Sequence, residues 1–544
     1  MKNSHVGYLK DLYGAVLEDC SIRFPDDRKG FERDKLRLTS LVESRGISVF
    51  TLDLPAIGKA LDLSLASGSA DFQGLPLSRG KSRKDRNPRL FQGLYTRIFD
   101  EFGRLRVDLD PQAIFLLRTL LYMGKKWKMD CGTSKTVKAV QEFFDVERAI
   151  REPSLNWDDD DFDSHRASEL HLTDGAKPLP LWEKENDEND SSHCPEHLLY
   201  DLQLVADVIS SELNQFSARD ATFKHGPGAV ADQERFGNKF LFPTWSSRLE
   251  RAFPLADIAF ANFGQWAGAM SDPDVEYGFN PELHPSELIA VPKTQKGPRL
   301  IAKEPIANQW CQQGIMNFLV EKSIRTSIGA SLSFDSQDPS RRRALESSID
   351  GLHATVDLSM ASDHVSCWLV ERLFRRNYSL LDALQASRTS YIVNRIDKKN
   401  PILHRIRKFS TMGSAVTFPL QTYIYAMMAV ASILNARNER ISLSNIRKAA
   451  EEVQVFGDDI VIPVDVIGTF VGLLGHLGFK VNYSKTFWTG RFRESCGMDA
   501  FGGYDVTPAY VTQAPRQDRP ESMIASVEIC KNFFRKKLYV TSTA

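Results

Sequence analysis

The chain is short of net charge, of cysteine and of long apolar runs, and each shortage removes a class of protein. Its formal net charge is -1 over 544 residues, so the total gives no strong field of one sign. Seven cysteines, Cys20, Cys131, Cys194, Cys311, Cys367, Cys496 and Cys530, are scattered without a C-x-x-C pair. An odd, dispersed set argues for reduced thiols and against a disulfide framework or a zinc site. No run of about 18 apolar residues occurs, so no transmembrane helix is indicated. The opening MKNSHVGYLKDLYGAVLEDC lacks the apolar region of a signal peptide. No internal repeat is visible. What is present is ample material for a core, with 42% hydrophobic residues, enough for a large multi-lobed protein.

The near-zero total conceals local asymmetry. RGKSRKDRNPR (79–89) is densely basic, and Lys125, Lys126 and Lys128 follow the apolar helical stretch AIFLLRTLLYMG. The sign then reverses. WDDDDFD (157–163) and EKENDEND (183–190) bracket a region poor in apolar residues, read as an acidic, mobile surface insertion over 151–195. KHGPGAVAD (224–232) is a glycine- and proline-rich loop. VIGTFVGLLGHLGFKVNYSKTF predicts a helix, a stop at Gly478 and a strand, and SMIASVEICKNFFRKKLYV predicts a last amphipathic helix.

The chemistry concentrates in VQVFGDDIVIPV (453–464). Val453, Val455, Ile460 and Ile462 make two short apolar strands around a hairpin turn that carries Asp458 and Asp459. Two carboxylates about 4 Å apart repel by about 4 kcal/mol at an effective dielectric near 20. A shared proton or divalent cations offset such a cost. Taken alone, Gly-Asp-Asp is equally an ordinary turn. HATVDLSMASDHVSCWLVERLF supplies a third carboxylate. Ala354, Val356 and Leu358 alternate with Thr355, Asp357 and Ser359, which predicts a strand ending near Asp357, followed by a helix capped by Ser359 or Ser362. If that strand neighbours the hairpin, three carboxylates converge, a ligand set for two magnesium ions.

At these residues the sequence resembles the palm motifs of viral RNA-directed RNA polymerases, and among them the replicase catalytic subunit of the levivirus-type positive-strand RNA bacteriophages. The likeness covers residues 224–510 clearly and 75–130 more weakly. VDLSMASD resembles the first palm motif, which implies that Asp357 is a metal ligand and that Asp363 senses the ribose 2′-hydroxyl. Asp363 is also an ordinary first-turn helix carboxylate. FSTMGSAVTFPLQ (409–421) resembles the next motif, with Gly413 allowing close backbone approach to template or nucleotide and Thr417 facing the sugar. Gln421 stands where many relatives carry Asn. FGDD is the third motif, with Phe456 where Tyr is commoner. HLGFKVNYSKT resembles the fourth, with Lys485 the acid for the pyrophosphate leaving group and Lys480 its rival. FRESCGMDAFGGYDVTP (492–508) matches the levivirus segment that follows. AVPKTQKGPRLIAKEP (290–305) resembles the fingers motif lining the nucleotide channel, with Lys293, Lys296, Arg299 and, most weakly, Lys303 binding triphosphate.

The resemblance implies an α+β fold, a right-hand polymerase with fingers, a palm of antiparallel sheet plus helices (RRM-like) and a short thumb. Its division would be 1–150 N-terminal and fingers region, 151–195 acidic insertion, 196–345 fingers, 346–510 palm and 511–544 thumb. The implied activity is RNA synthesis from NTPs on an RNA template with two Mg2+ ions, Mn2+ substituting. Base pairing supplies fidelity, and the basic stretches at 79–89 and 125–128 would track RNA backbone. Implied partners are RNA template and product, NTPs, host elongation factors Tu and Ts and a ribosomal protein, in the cytoplasm of the infected bacterium and with no membrane. A reverse transcriptase, a two-metal nuclease and a non-catalytic RNA-binding relative are the alternatives. Two features depart from the family. Only 85 residues follow Asp459, and the acidic insertion has no counterpart.

Overall fold

The computed structural model describes residues 2–80, 86–129, 131–174, 196–232, 239, 242, 244–260, 262–271, 278–279, 284–397, 399 and 402–544. The acidic EKENDEND stretch and the centre of the basic 79–89 stretch lie outside these residues.

The first part of the chain is helical: α1 (Lys2–Arg23), α2 (Arg28–Arg45), α3 (Leu54–Ser67), α4 (Pro111–Tyr122) and α5 (Thr133–Ala149). Local chemistry sets their ends. The Asp110 carboxylate accepts a bond from the Gln112 amide and Pro111 opens α4, a capped start of the kind its sequence favours. Helix α6 (Glu196–Glu212) follows, then the hairpin of β1 (Ser286–Thr294) and β2 (Gly297–Lys303) and helix α7 (Ile306–Ser323). Next come α8 (Asp338–Asp350), β3 (His353–Val356), α9 (Cys367–Leu373), β4 (Tyr391–Asn394) and β5 (Leu403–Arg405). The final third holds α10 (Thr417–Ala436), β6 (Gln454–Phe456), β7 (Asp459–Pro463), α11 (Ile467–His476), β8 (Phe492–Ser495), β9 (Met498–Phe501) and α12 (Pro520–Arg535).

Strands and helices are thus mixed, an α+β arrangement. Two sheets matter for the site. One is antiparallel, in the order β3–β7–β6, and extends past β3 through a bridge between Thr355 and Phe487. The other runs β2–β1–β4–β5, with β4 parallel to β1. Helix α10 backs the first sheet. It is apolar on all sides, and 94% of its most apolar window is buried, so its length and composition serve the core.

The two ends of the chain share one core. Residues of α1–α4 pack with Phe487, Phe492, Phe501, Ile529 and Phe533. At the seam the buried Arg118 guanidinium lies 2.8 Å from Asp62 and 2.9 Å from Asp499, and also donates to the Val506 carbonyl. Asp19 of α1 accepts bonds from the amides of Val540 and Thr541 and from the Thr541 hydroxyl. Residues 511–544, expected as a short thumb, are therefore fastened onto the N-terminal helices.

Two expectations need correction. The beginning of the expected acidic insertion, through residue 174, is packed and not a solvated spacer. Trp157 is 1% exposed, and its indole donates to Glu371 at 3.0 Å. Asp158 pairs with the buried Arg388 at 3.2 Å. The acidic run carries aromatic anchors and supplies counter-charges to interior arginines, which a tally of composition overlooks. The helix after Asp357 is capped by neither Ser359 nor Ser362. Met360 takes a left-handed conformation, φ +51°, and residues 361–364 form a tight 3₁₀ turn. The helix begins later, where the Ser366 hydroxyl accepts from the Leu369 amide at 3.1 Å.

Candidate active site

The β6–β7 turn consists of Gly457 and Asp458, because Phe456 pairs with Asp459. Gly457 has φ +63°, and a Cβ there would lie 3.1 Å from both the Phe418 ring and the Gln421 amide nitrogen. Both facts call for glycine. Helix α10 grips this turn: the Thr422 hydroxyl accepts from the Gly457 amide at 3.0 Å, and the Phe418 ring meets Phe456 at 4.9 Å between centroids.

The third carboxylate comes from the neighbouring strand. The β3–β7 ladder pairs Val356 with Ile460, so one step further along Asp357 faces Asp459. Opposed residues of an antiparallel pair have Cα atoms about 4.5–5.5 Å apart and side chains on one face. Asp357 is held from its other side. Its Oδ2 accepts from Asn482 at 2.7 Å, its Oδ1 from the Lys485 ammonium at 3.2 Å, and its backbone amide donates to the Thr486 hydroxyl at 3.2 Å. Asp459 Oδ1 accepts from the Cys496 amide at 3.1 Å.

The electrostatics are those of carboxylates crowded beyond comfort. Partial burial, then Asp357, push Asp458 above the ordinary carboxylate range, although the residue as a whole is exposed at the turn. Burial, followed by the charges of Asp458 and Asp357, does the same to Asp459. A fourth acid joins them from β8. Burial and the charge of Asp499 raise Glu494 to about 7, with Asp357 and Asp459 adding to the effect. Lys485 answers this charge. Burial alone would lower its ammonium, but Glu494, 3.8 Å away, and Asp357 outweigh burial and hold it above the usual lysine range.

These oxygen-only donors fit a hard divalent cation, and the ammonium on Asp357 stands where positive charge is needed. Among the described residues, no three His, Cys, Asp or Glu side chains are drawn tightly enough together to hold an ion.

Cations line the approach. The β1–β2 hairpin faces the cluster. Burial lowers the Lys293 ammonium, as do Arg299 and Lys485, while Asp458 and Asp357 act on it in the opposite sense. Arg299 in turn acts on Asp458. Lys296 sits at the hairpin tip beside Gln295, which Thr51 and Lys135 bind from the helical lobe. Lys303 points elsewhere, paired with Glu287 across the hairpin. Lys480 is an exposed residue on a short strand paired with Ser359, so Lys485 is the lysine at the carboxylates.

The loop before α10 packs against β2, where the Ala302 amide donates to the Met412 carbonyl at 2.8 Å. Gly413 has φ +130°, and a Cβ on it would lie 1.9 Å from the Ala302 carbonyl oxygen. Its glycine is required by β2 of the chain itself, whatever else approaches this loop. Thr417 bonds to the Ser410 hydroxyl at 2.8 Å and the Thr411 carbonyl at 2.9 Å. Gln421 lies against the Gly457 turn with a buried, unpartnered Oε1. Asp363 is buried and bonded to Lys408 at 3.0 Å.

Sequence reasoning missed Asn482, Thr486, Glu494 and Cys496, each within the segments quoted for their likeness but given no role. It also missed Lys59 on α3, whose ammonium is lowered by burial and by Lys296 and Lys485. Lys125 and Lys126, expected as part of an RNA track, lie near enough to interact with Glu494 and Lys485.

Within an α+β fold, then, a hairpin turn and an adjoining strand crowd three aspartates beside a basic hairpin. Sequence comparison specifies the chain further. The chain belongs to the RNA replicase, beta-chain family, whose model matches residues 190–527. It is 35% identical over 225 residues to the RNA-directed RNA polymerase beta chain of Enterobacteria phage fr, covering 41% of this chain and 37% of that one. To the corresponding chain of Enterobacteria phage GA it is 33% identical over 278 residues, 50% and 47% of the two chains. To the RNA-directed RNA polymerase subunit beta of Qbeta virus (strain MX1) it is 35% identical over 227 residues, 42% and 35%. The matched stretches thus span less than half the length of each of these relatives.

Proposed function

We propose that the chain synthesises RNA on an RNA template from NTPs, in the replication of a phage genome. The observation that carries the reading is the β3–β7 register, whose next step sets Asp357 opposite Asp459, beside Asp458 and near Lys293 and Arg299. The β3–β7–β6 sheet with α10 is the palm of a right-hand polymerase, the β1–β2 hairpin belongs to its fingers, and the C-terminal helices belong to its thumb.

Asp357, Asp458 and Asp459 would hold two magnesium ions, which when bound activate a 3′-hydroxyl and neutralise charge on the reacting phosphates. The chain's own groups do the rest. Lys293, Lys296 and Arg299 bind the triphosphate, Arg299 with the option of a bidentate grip. Asn482 and Thr486 fix the Asp357 side chain and backbone, and the Cys496 amide fixes Asp459. Lys485, protonated beside Asp357, would be the acid that delivers a proton to the departing pyrophosphate. Asp363, Gly413, Thr417 and Gln421 shape the sugar side of the site. Host translation factors (elongation factors Tu and Ts and a ribosomal protein) are the proposed partners, in the cytoplasm of an infected bacterium.

The test is incorporation of labelled NTPs on a phage-like RNA template, with an Asp458→Asn variant alongside. Magnesium-dependent incorporation that falls by orders of magnitude in the variant is expected. Equal incorporation by both proteins contradicts the reading, and a preference for dNTPs would make the chain a reverse transcriptase.

A further inference from the structure

Asp363 is one member of a buried charge triad whose other two members, Lys408 and Glu147, have no part in the chemistry described above. Lys408 is fully buried, with its ammonium 3.0 Å from Asp363 Oδ1 and 3.6 Å from Glu147 Oε2. The Glu147 side chain is 1% exposed and that of Asp363 8%. The ammonium also lies 3.4 Å from the centroid of the Phe143 ring, a second favourable contact for a desolvated cation.

The backbone around Lys408 is fixed as firmly as its head group. It forms an antiparallel bridge with Ser366, and the Phe409 amide donates to the Val365 carbonyl at 2.7 Å. The Arg388 guanidinium donates to the carbonyls of Ile406, Lys408 and Phe409. Glu147 completes the frame by accepting from the Arg407 amide. The residues that follow, Ser410 and Thr411, bond to Thr417 at the start of α10.

Interior ion pairs of this kind are a poor way to gain stability, because desolvation offsets much of the attraction. What such a pair does supply is orientation. Lys408 occupies one oxygen of Asp363 and leaves the other to be aimed. Glu147, at the C-terminal end of α5, holds the lysine against that oxygen. The same helix, about 25 Å long at 1.5 Å per residue, reaches the tip of the β1–β2 hairpin at its other end, where Lys135 donates to the Gln295 carbonyl.

We propose that Lys408, held by Glu147, is a positioning residue for ribose recognition: it fixes Asp363 so that the free carboxylate oxygen faces the 2′-hydroxyl of the nucleotide. This rests on the reading of Asp363 as a residue of the sugar site. The triad is a specificity device, and its loss weakens the distinction between ribo- and deoxyribonucleotides.

The test is equilibrium binding of ATP and of dATP, each with magnesium and a short template RNA presenting uridine, together with the melting temperature of every protein used. Wild type is expected to prefer ATP by roughly tenfold or more, the worth of one charge-assisted hydrogen bond. Lys408→Met combined with Glu147→Gln keeps the net buried charge unchanged, and should lower that ratio to within about threefold by weakening ATP binding while leaving dATP binding alone. Asp363→Asn should do the same. Lys408→Arg, whose longer head group displaces the carboxylate, should give an intermediate ratio, and it decides the matter if the double variant does not fold. Should Asp363→Asn lose the preference while the Lys408 variants keep it, the lysine is only structural and the proposal is overturned. Should Asp363→Asn itself keep the wild-type preference, the reading of Asp363 fails and takes this inference with it.

Discussion

At the scale of single residues, the site is a balance of charge, and pH reads that balance. Glu494 binds its proton more tightly in the folded chain, at about 7, than a free glutamate does. The folded state is therefore favoured while Glu494 is protonated, and its contribution is lost as pH rises from about 4.5 through 7. In the absence of divalent cations, thermal unfolding should show the melting temperature falling over that range, with a smaller fall in Glu494→Gln. A Glu494→Gln profile that overlays wild type would remove the acid from the cluster. Gly457 makes a second residue-scale prediction. Alanine there meets both a left-handed backbone and the Phe418 ring, and should cost about 1–3 kcal/mol in denaturant unfolding; a stabilised variant would contradict the crowding seen at the turn.

At the scale of elements, much of the site was legible before the fold. The hairpin around Asp458, the strand ending near Asp357 and the Gly478 stop all follow from alternation and turn chemistry, and all are present. What periodicity could not supply is pairing across the chain. Nothing local says that β3 lies beside β7 in the register that opposes Asp357 and Asp459. Nor does anything local say that Gly413 answers to a carbonyl more than a hundred residues earlier, or that a lysine would settle on Asp357. The cap of α9 was misplaced because Met360 adopts a conformation that non-glycine residues seldom take, and no pattern announces it. The grip of α10 on the turn can be tested directly. Thr422→Val removes the acceptor of the Gly457 amide and should destabilise the protein by about 1–3 kcal/mol, since that buried donor is left without a partner. An unchanged unfolding curve would show that the turn holds itself.

At the scale of the whole molecule, the two ends of the chain are sewn together around Arg118. It is the only cation within ion-pair distance of Asp62 or Asp499 among the described residues. Arg118→Met leaves two buried acids facing each other, so a loss of about 3–5 kcal/mol is expected in denaturant unfolding, the usual result of removing one partner from a buried charge network. A variant as stable as wild type would mean that the lobes are held by apolar packing alone. The packed acidic segment near Trp157 belongs to this scale as well. Composition suggested a mobile spacer, whereas Asp158 neutralises Arg388 from far along the chain, and the Trp157 indole donates to Glu371 of the buried Glu371–Arg372 pair.

The account turns on whether Asp357 joins the 458/459 pair in binding cations, and titration with Mn2+ followed by electron paramagnetic resonance measures this without requiring turnover. Binding that is substantially weakened by Asp357→Asn, as it is by Asp458→Asn and Asp459→Asn, is the predicted result. An Asp357→Asn protein that takes up Mn2+ as wild type does would contradict it.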